Sequence, residues 1–424
     1  MQTSSGTWLF GALFTFRYLR TIASIPIYLS TKPKPLQNPP KFTGKDVTVI
    51  IPTTFKSPPE LIKCLRTITA CSPFAIYIVT SDANVAPLSR YCHERALDVP
   101  VLGVSRLNKR EQILKALPLV KTAITCLADD DVLWPARFLD YLLAVFEDPE
   151  VGAGGPLQRV RRNERPDAWN FLGIGYLERR VWNNLATNSV DGSISTLSGR
   201  TAAYRTEILQ TGEFSKYFLS DSWRGKAISY GDDKCLTRYV YSHGWKIVIQ
   251  PDPRATIETT VEPDRKYISQ CLRWARGHWQ GNFTVMSKET YWYSPRYIWG
   301  LYYIYLGQFQ TPALLIDGLL FFFLSLALKT ASTNTANIAY VCLGVWICFT
   351  KLVKLIPHFW RYPSDMKFIP LSILFSYAHG FINLYAAFTL QTTQWGSQNL
   401  SELEGARMNA RGMPNCLLQE KVDK

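Results

Sequence analysis

The apolar residues of this chain are unevenly placed, and their distribution constrains the fold more than any other feature. Residues 45–261 have the mixed composition of a soluble α/β domain, whereas long apolar runs begin after Trp292. A helix that crosses a membrane needs about 20 apolar residues. Three segments approach or exceed that length, and they predict about three membrane spans within an interface and membrane region at 286–395: Ile298 to Leu328, Ile338 to Ile356, and Phe368 to Leu390.

The amino-terminal segment is also apolar, but it contains two arginines. Residues 8–29 are mostly hydrophobic and include Arg17 and Arg20, with no cleavage site of small residues. This pattern predicts a retained membrane anchor over residues 1–30, or an interfacial helix whose arginines reach toward the headgroups. Residues 31–45 carry four lysines and several prolines, and they predict an extended basic linker.

The charge of the chain limits its partners. A formal charge of +14 over 424 residues suits an anionic substrate or an anionic membrane leaflet. The basic residues are dispersed rather than aligned along one element, so we expect no nucleic-acid partner. Four of them, between the second and third predicted spans, favour a cytosolic loop: Lys351, Lys354, Arg361 and Lys367. The nine cysteines show no paired spacing, which predicts neither a disulfide framework nor a zinc site.

Residues 46–285 alternate between strand-like and helix-like segments. The run Val47 to Ile51 is rich in β-branched residues and ends at Pro52, and Pro59 to Ala70 has helical spacing. Repetition of this pattern predicts an α/β domain with a mainly parallel sheet covered on both faces. Ligands of such sheets bind beyond the carboxyl ends of the strands, where Asp82 and Asp129 are expected.

Three consecutive acids, Asp129 to Asp131, follow a predicted strand. Continued strand geometry places Asp129 and Asp131 on one side and turns Asp130 away. Two carboxylates of this kind suit Mg²⁺ or Mn²⁺, which completes its coordination with substrate phosphates. The alternative is that the acids cap a helix that starts near Pro135.

A second acidic pair, Asp232 and Asp233, precedes a predicted helix over 234–242. Either acid could serve as a general base that removes a proton from an acceptor hydroxyl. Capping of the helix is again the alternative.

The segment Gln270 to Trp279 is rich in tryptophan and arginine and has helical spacing. By pattern alone it indicates an amphipathic helix on a membrane surface. Arg273 could instead clamp a diphosphate, and Trp274 could stack on a sugar ring.

The order and content of these motifs resemble the processive inverting glycosyltransferases of family 2, which include hyaluronan, chitin and cellulose synthases. The nearest group is the fungal polysaccharide synthases that are similar to capsule synthases. The resemblance runs from about Val47 to Trp395, and its most specific element is Gln270-x-x-Arg273-Trp274 before the membrane spans. It implies a GT-A, Rossmann-like fold and a UDP-sugar donor.

By position, the resemblance assigns the donor site to five motifs. It implies that Thr53, Thr54 and Asp82 hold the uridine and that Lys109 and Arg110 meet the nucleotide. Asp129 and Asp131 correspond to the metal motif, for Mg²⁺ or Mn²⁺. Gln270, Arg273 and Trp274 correspond to the motif that closes over the donor and receives the acceptor sugar.

The same resemblance aligns Asp233 with the catalytic base, beside Asp232, and Ser198-Gly199-Arg200 with a loop on the acceptor side. It predicts an integral membrane protein, at the plasma membrane, with a cytosolic catalytic domain and a polar tail over residues 396–424. Its partners are a UDP-sugar, a growing polysaccharide and the lipid bilayer.

Three functions remain open at this point. The first is a synthase that polymerises a β-linked cell-surface or cell-wall polysaccharide and exports it through its own spans. The second is an enzyme that adds one sugar to a membrane lipid. The third is a non-catalytic scaffold on a glycosyltransferase fold.

Overall fold

A seven-stranded mixed sheet forms the centre of the soluble domain. A computed structural model describes residues 5–228 and 230–392. The strands of the sheet occur in the order β10-β5-β7-β4-β1-β2-β3. Their bounds are β1 Val47–Pro52, β2 Ala75–Ser81, β3 Val101–Val104, β4 Ile124–Ala128, β5 Val151–Pro156, β7 Thr201–Arg205 and β10 Lys246–Gln250. Two small sheets pair β6 (Gln158–Val160) with β11 (Ile257–Thr259), and β8 (Ser222–Trp223) with β9 (Lys226–Ala227).

The predicted mainly parallel sheet is confirmed, with one exception. Strands β1, β2, β3 and β4 pair in parallel, as do β5 and β10. Strand β7 lies antiparallel between β4 and β5. The carboxyl ends of β1, β2 and β4 therefore meet at one edge of the sheet.

Both faces of the sheet are covered, as the near-continuous apolar run of β1 predicts. Every residue of β1 is buried. Val49 and Ile51 pack into one hydrophobic cluster with helices on one face, and Ile50 packs into a second cluster on the opposite face. The alternation of strand side chains thus divides the core into two layers around the sheet.

Helices form most of the remaining structure, with short 3₁₀ turns between several of them and a π-helical segment at Leu301–Leu306. Their bounds are α1 Ser5–Ser30, α2 Pro58–Ala70, α3 Asp82–His93, α4 Lys109–Ala116, α5 Phe138–Leu143, α6 Ala168–Asp191, α7 Thr206–Leu209, α8 Gly212–Leu219, α9 Asp232–Ser242, α10 Lys266–Lys288, α11 Ile298–Gly300, α12 Ala313–Ala327, α13 Thr333–Leu352, α14 Ile356–Arg361 and α15 Ile369–Phe388. The predicted boundary at residue 285 falls inside α10.

Two helical segments of the described residues are long and apolar enough to cross a membrane. They run over Thr333–Arg361 and Pro363–Phe388. The first predicted span, from Ile298, is instead divided between Pro295–Gln310 and Ala313–Ala327, which meet at 88°. Pro312 lies at the break, where its ring restricts the preceding residue and its missing N–H ends the hydrogen-bond ladder. The bent pair adds a third span only if both halves belong to one crossing.

Helix α1 packs against α6 and α12, and its arginines turn inward. Arg17 donates to the carbonyl oxygen of Gln310 at 2.5 Å, and Arg20 donates to that of Gly307 at 3.4 Å. Both arginines therefore turn toward backbone acceptors near the break between the two helical segments. Helix α1 is not among the candidate spans of the described residues.

The predicted linker, residues 31–45, lies along the soluble domain. The Lys34 N–H donates to Gln250 Oε1 at 2.9 Å, and the Lys41 N–H donates to Glu147 Oε1 at 2.8 Å. Trp395 and the predicted tail, residues 396–424, fall outside the described residues.

Candidate active site

A cavity of about 760 Å³ begins at the carboxyl edge of the sheet and extends between helices α1, α12, α13 and α15, which we call the membrane-side helices. Most of the residues singled out from the sequence line it. They are Thr53, Thr54, Lys109, Asp129, Asp131, Asp232, Asp233, Gln270, Arg273 and Trp274, together with the loop Ser198 to Arg200. The fold therefore brings together motifs that lie more than 200 residues apart in the chain.

Two of the expected nucleotide-binding residues do not line this cavity. Asp82 begins α3 directly after β2 and is exposed. Arg110 is buried, and its guanidinium donates to the carbonyl oxygen of Phe218 at 2.5 Å and to Asp221 at 2.9 Å. Lys109 precedes Arg110 in α4. Because consecutive helical residues point about 100° apart, only Lys109 faces the acids.

The three consecutive acids form a turn rather than a continuation of the strand. Strand β4 ends at Ala128, so strand alternation does not apply to the acids, and the expectation that Asp130 turns away is wrong. All three line the cavity. Lys109 Nζ lies 2.7 Å from Asp129, Thr260 donates to Asp131 at 2.6 Å, and Thr53 donates to Asp130.

Burial and the neighbouring acids raise the pKa values of Asp129 and Asp130 in this turn. Burial is the main cause that raises the pKa of Asp130 to about 6, with Asp131 and Asp129 adding to the effect and the Thr53 hydroxyl opposing it. Burial also raises the pKa of Asp129, although the Lys109 ammonium opposes it. A cation is therefore favourable at this turn.

The donor set fits a divalent cation that is shared with a substrate. No group of three or more histidine, cysteine or acidic side chains converges as a metal site within residues 5–228 and 230–392. Mg²⁺ commonly uses one or two carboxylates and takes its other ligands from water and phosphates. Asp129 and Asp131 supply such carboxylates at the cavity wall, and the Lys109 ammonium on Asp129 shows that this position accepts positive charge.

The two acids at the start of α9 have different environments. Lys109 Nζ lies 3.1 Å from Asp232. Burial opposes the ionisation of Asp232, but Lys109 and Arg110 hold its pKa below the ordinary value. Burial and the charge of Asp232 raise the pKa of Asp233. Asp232 is thus held as an anion, whereas Asp233 has the higher affinity for a proton.

Glycines allow two loops to approach these acids. Gly231 has φ +71°, a left-handed conformation that precedes α9 and suits glycine. A Cβ on Gly199 would lie 3.1 Å from Lys109 Nζ and 3.3 Å from Asp233 Cβ. The loop Ser198 to Arg200 therefore packs directly against the predicted base.

The Trp274 ring faces the cavity and contacts two other elements. It stacks on Tyr176 of α6, with 4.9 Å between ring centroids, and the Arg200 guanidinium lies 5.3 Å from its ring. Trp274 thus lines the same cavity as the acids.

A buried polar network behind the acids was not identified from the sequence. Lys234 Nζ donates to Asn282 Oδ1 at 2.6 Å and to Ser195 at 3.3 Å, and Asn282 donates to Gln308 at 3.1 Å. Burial lowers the pKa of Lys234 to about 7, although Asp233 opposes the shift. The only sequence signal was the spacing of His278 and Asn282 by one helical turn, and the two side chains lie 3.2 Å apart.

A parallel-rich sheet with carboxylates beyond its strand ends is typical of α/β proteins that bind their ligands at that edge. Residues 44–277, which make up more than half of the chain, match the family described as "Glycosyltransferase like family 2". The chain therefore belongs to glycosyltransferase family 2, as the motifs suggested.

Individual relatives agree with this assignment. A "Type 2 glycosyltransferase" of Zymoseptoria tritici is 42% identical over 95% of this chain and 86% of its own length. "Hyaluronan synthase 3" of Xenopus laevis is 30% identical over 41% of this chain and 30% of its own length. The solved structure of mannosyltransferase PcManGT from Pyrobaculum calidifontis, in complex with GDP-Man and Mn²⁺, is 17% identical. It has a TM-score of 0.56 and covers 90% of this chain and 99% of that one. The fold is GT-A-like.

Proposed function

We propose that this protein is an inverting, metal-dependent glycosyltransferase that uses a UDP-sugar to polymerise a β-linked cell-surface or cell-wall polysaccharide, and that it exports the product. The single observation that carries the proposal is the continuous cavity, which connects the acids of α9 with the membrane-side helices. A polymerising enzyme needs room for both a donor and a chain, and this cavity offers both along one path.

The donor binds at the carboxyl edge of the sheet. Thr53 and Thr54 lie at the end of β1, and Arg273 and Gln270 face them from α10 across the same cavity. Asp129 and Asp131 would hold Mg²⁺ or Mn²⁺, which neutralises the diphosphate and favours its departure. Arg273 contributes a further positive charge to the leaving group.

Asp233 acts as the general base. An acceptor hydroxyl attacks the anomeric carbon while Asp233 takes its proton, and the bond from that carbon to the β-phosphate oxygen breaks with its electron pair on UDP. Attack opposite the leaving group converts an α-linked donor into a β-linked product. Asp232 stays ionised against Lys109, so its charge raises the proton affinity of Asp233. Asp82 and Arg110 do not line this path, although the Arg110 guanidinium donates to the carbonyl oxygen of Tyr230, which does line it.

Trp274 provides the acceptor platform. A sugar that stacks on the indole has its hydroxyls directed toward the neighbouring acids, and orientation of this kind lowers the barrier by removing rotational freedom. Tyr176 and Arg200 hold the ring in place from two other elements. The part of the cavity that is lined by Phe375, His379 and Asn383 of α15 then receives the chain.

Contacts between the two halves of the protein support a cytosolic position for the catalytic domain. Lys354 donates to Asn183 of α6 at 2.5 Å, and Arg361 donates to Glu178 of the same helix. The basic loop thus lies against the catalytic domain, on the side that positive residues favour. We propose an integral plasma-membrane protein with this orientation.

Transfer of a single sugar to a membrane lipid is the second candidate. The bent pair of helices beside the cavity favours it, because a break near the bilayer surface could admit a lipid headgroup. The third candidate, a scaffold without activity, leaves the differing environments of Asp232 and Asp233 without a role.

Donor turnover tests the proposal. The purified full chain in nanodiscs is incubated with a panel of UDP-sugars and with GDP-mannose, and nucleotide release and the anomeric configuration of the product are measured. We expect one UDP-sugar to be turned over to a β-linked product, and activity to be lost in EDTA and restored by Mg²⁺ or Mn²⁺. Release of no nucleotide from any donor, or an α-linked product, would contradict it.

A further inference from the structure

The membrane-side arm of the cavity is lined by cations from three separate parts of the chain. We define this arm by Arg20 of α1, Arg179 and Asn183 of α6, Tyr303, and Lys354. Lys354 Nζ and the Tyr303 hydroxyl both donate to Asn183 Oδ1, at 2.5 and 2.9 Å. The Arg20 guanidinium lies 5.8 Å from the centroid of the Tyr303 ring. The arm is therefore a built polar site rather than a surface patch.

Positive charge in this arm exceeds negative charge. Across the parts of the chain that the structure describes, Arg20, Arg179 and Lys354 have no carboxylate within 4.0 Å. The nearby acid Asp317 is shared between Lys351, at 3.0 Å, and Arg17, at 3.8 Å. Cations held together away from water are costly unless an anion accompanies them.

Arg20 also retains unused hydrogen-bonding capacity. Its Nε is buried and makes no hydrogen bond, although its Nη1 donates to Gly307. A buried donor of this kind destabilises the protein when it stays unsatisfied. An oxyanion in the arm would satisfy it and would offset the repulsion from Lys354.

Aromatic residues beside the arm indicate its depth in the bilayer. Tryptophan and tyrosine are enriched where a membrane meets water, at the level of the lipid headgroups. The segment that precedes the helix break is dense in both residues, and Tyr302 and Tyr303 contact Arg20 directly. Its aromatic members are Tyr291, Trp292, Tyr293, Tyr297, Trp299, Tyr302, Tyr303 and Tyr305.

We propose that the membrane-side arm binds the phosphate group of an anionic membrane lipid. At headgroup depth, lipid phosphate is the anion that the surroundings supply, and guanidinium and ammonium groups are its usual partners. The site goes beyond sugar transfer, and it is independent of which donor the enzyme uses.

Retention of lipid by purified protein tests this site. The full chain is placed in nanodiscs of phosphatidylcholine with or without phosphatidic acid, and native mass spectrometry counts the phosphatidic acid that stays bound. We expect wild-type protein to retain it and the Arg20→Gln/Lys354→Gln variant to lose at least about tenfold in affinity, since each lost charge contact near a membrane is worth about 1 kcal/mol. Arg20→Lys keeps the charge and should keep binding.

A matched variant separates the arm from general attraction to an anionic surface. Arg296 and Lys367 are exposed and lie outside the cavity, so Arg296→Gln/Lys367→Gln should retain lipid as wild type does. If the double variant of the arm does not fold, Lys354→Gln alone should show partial loss. Equal retention by arm and control variants would overturn the proposal. If the arm binds inorganic phosphate but not phosphatidic acid, its anion does not come from a lipid, and the proposal is overturned.

Discussion

At the residue scale, the environments of two adjacent carboxylates distinguish their roles. Asp232 is paired with Lys109 at 3.1 Å, whereas the side chain of Asp233 accepts only the backbone N–H of Lys234, at 2.8 Å, among the hydrogen bonds of the described residues. Because the pairing with Lys109 holds Asp232 in its ionised form, Asp233 is the acid that can accept a proton at the cavity wall. This assignment follows from position and charge together.

Replacement of the base should stop turnover without loss of the donor. Asp233→Asn preserves shape but cannot take a proton, so kcat should fall by about 10² to 10⁴ while UDP affinity stays within a few-fold. Asp232→Asn is the matched comparison and should weaken donor binding, because Lys109 loses a partner. Titration calorimetry and single-turnover rates measure the two quantities. An active Asp233→Asn beside an inactive Asp232→Asn would show that the base is Asp232.

The pH dependence of the reaction should report the same carboxylate. Burial and the Asp232 charge raise the pKa of Asp233, and only its ionised form accepts a proton. The rate should therefore fall as the pH drops through a range above that of an ordinary aspartate, which lies near 3.9. A kcat–pH profile of wild-type enzyme measures this limb. A rate that stays constant down to the ordinary range would exclude a base with a raised pKa.

At the element scale, a buried ion network joins α4, α8 and α9. Asp221 accepts from Arg110 at 2.9 Å and from Arg238 at 2.8 Å, and all three side chains are buried. Arg110 thus holds α4 in place, and Lys109, the residue before Arg110 in that helix, contacts the acids. The network explains how a residue outside the cavity affects its geometry.

Loss of the shared acid should destabilise the soluble domain. Asp221→Asn leaves the buried Arg110 guanidinium without a carboxylate and leaves Arg238 with only Glu289, 3.4 Å away, at a cost of about 3–5 kcal/mol. Burial opposes its ionisation, but Arg238 and Arg110 hold the pKa of Asp221 below the ordinary value. The contribution is therefore complete above pH 4 and decreases as the pH falls through the folded-state pKa. Chemical unfolding measures the loss.

The exposed pair Arg137–Asp140 is the control for that measurement. It has a similar distance, 2.8 Å, but both side chains are largely exposed. Asp140→Asn should cost less than about 1 kcal/mol. A comparable loss from both variants would contradict a special role for the buried network.

Trp274 is the residue of α10 that we propose as the acceptor platform. Trp274→Ala removes the platform but no phosphate contact, so polymer formation should fall far more than donor binding. Trp360 is 86% exposed on α14 and provides a control, since Trp360→Ala leaves the cavity unchanged. Product sizing and UDP affinity are compared per folded molecule. Long chains from Trp274→Ala enzyme would contradict the acceptor role.

The elements show how far the sequence can predict this fold. The β-branched run of β1 ends at Pro52 as expected, because local propensity and burial favour the same structure. The apolar run from Ile298 to Leu328 predicted one span, yet the chain bends by 88° near Pro312. Hydrophobicity reports that a segment avoids water, but it does not report that Pro312 ends the hydrogen-bond ladder within that segment.

At the scale of the whole molecule, the sequence identified the acids but not the full cavity. Motifs located Asp129, Asp233 and Trp274 because each is a short local pattern. The membrane-side arm joins Arg20 to Lys354, which are far apart in the chain, so no local pattern connects them. The buried Asn282 also lies within a glycosylation sequon, and its burial shows that a sequon alone does not predict an accessible site.

The molecule as a whole combines a GT-A-like domain, the acidic turn Asp129 to Asp131, and a cavity that continues among α1, α12, α13 and α15. We propose that one active site adds sugars repeatedly to a chain held in that cavity. Polymer and single transfer differ in the size of the product rather than in the chemistry of a single step.

The most direct measurement is a time course of product size. Purified wild-type protein in nanodiscs receives a radiolabelled UDP-sugar in large excess, and products are separated by size at successive times. We predict chains of many sugars at early times, when most of the donor is still unused. A product that remains one sugar long on a lipid, however long the reaction runs, would contradict the account.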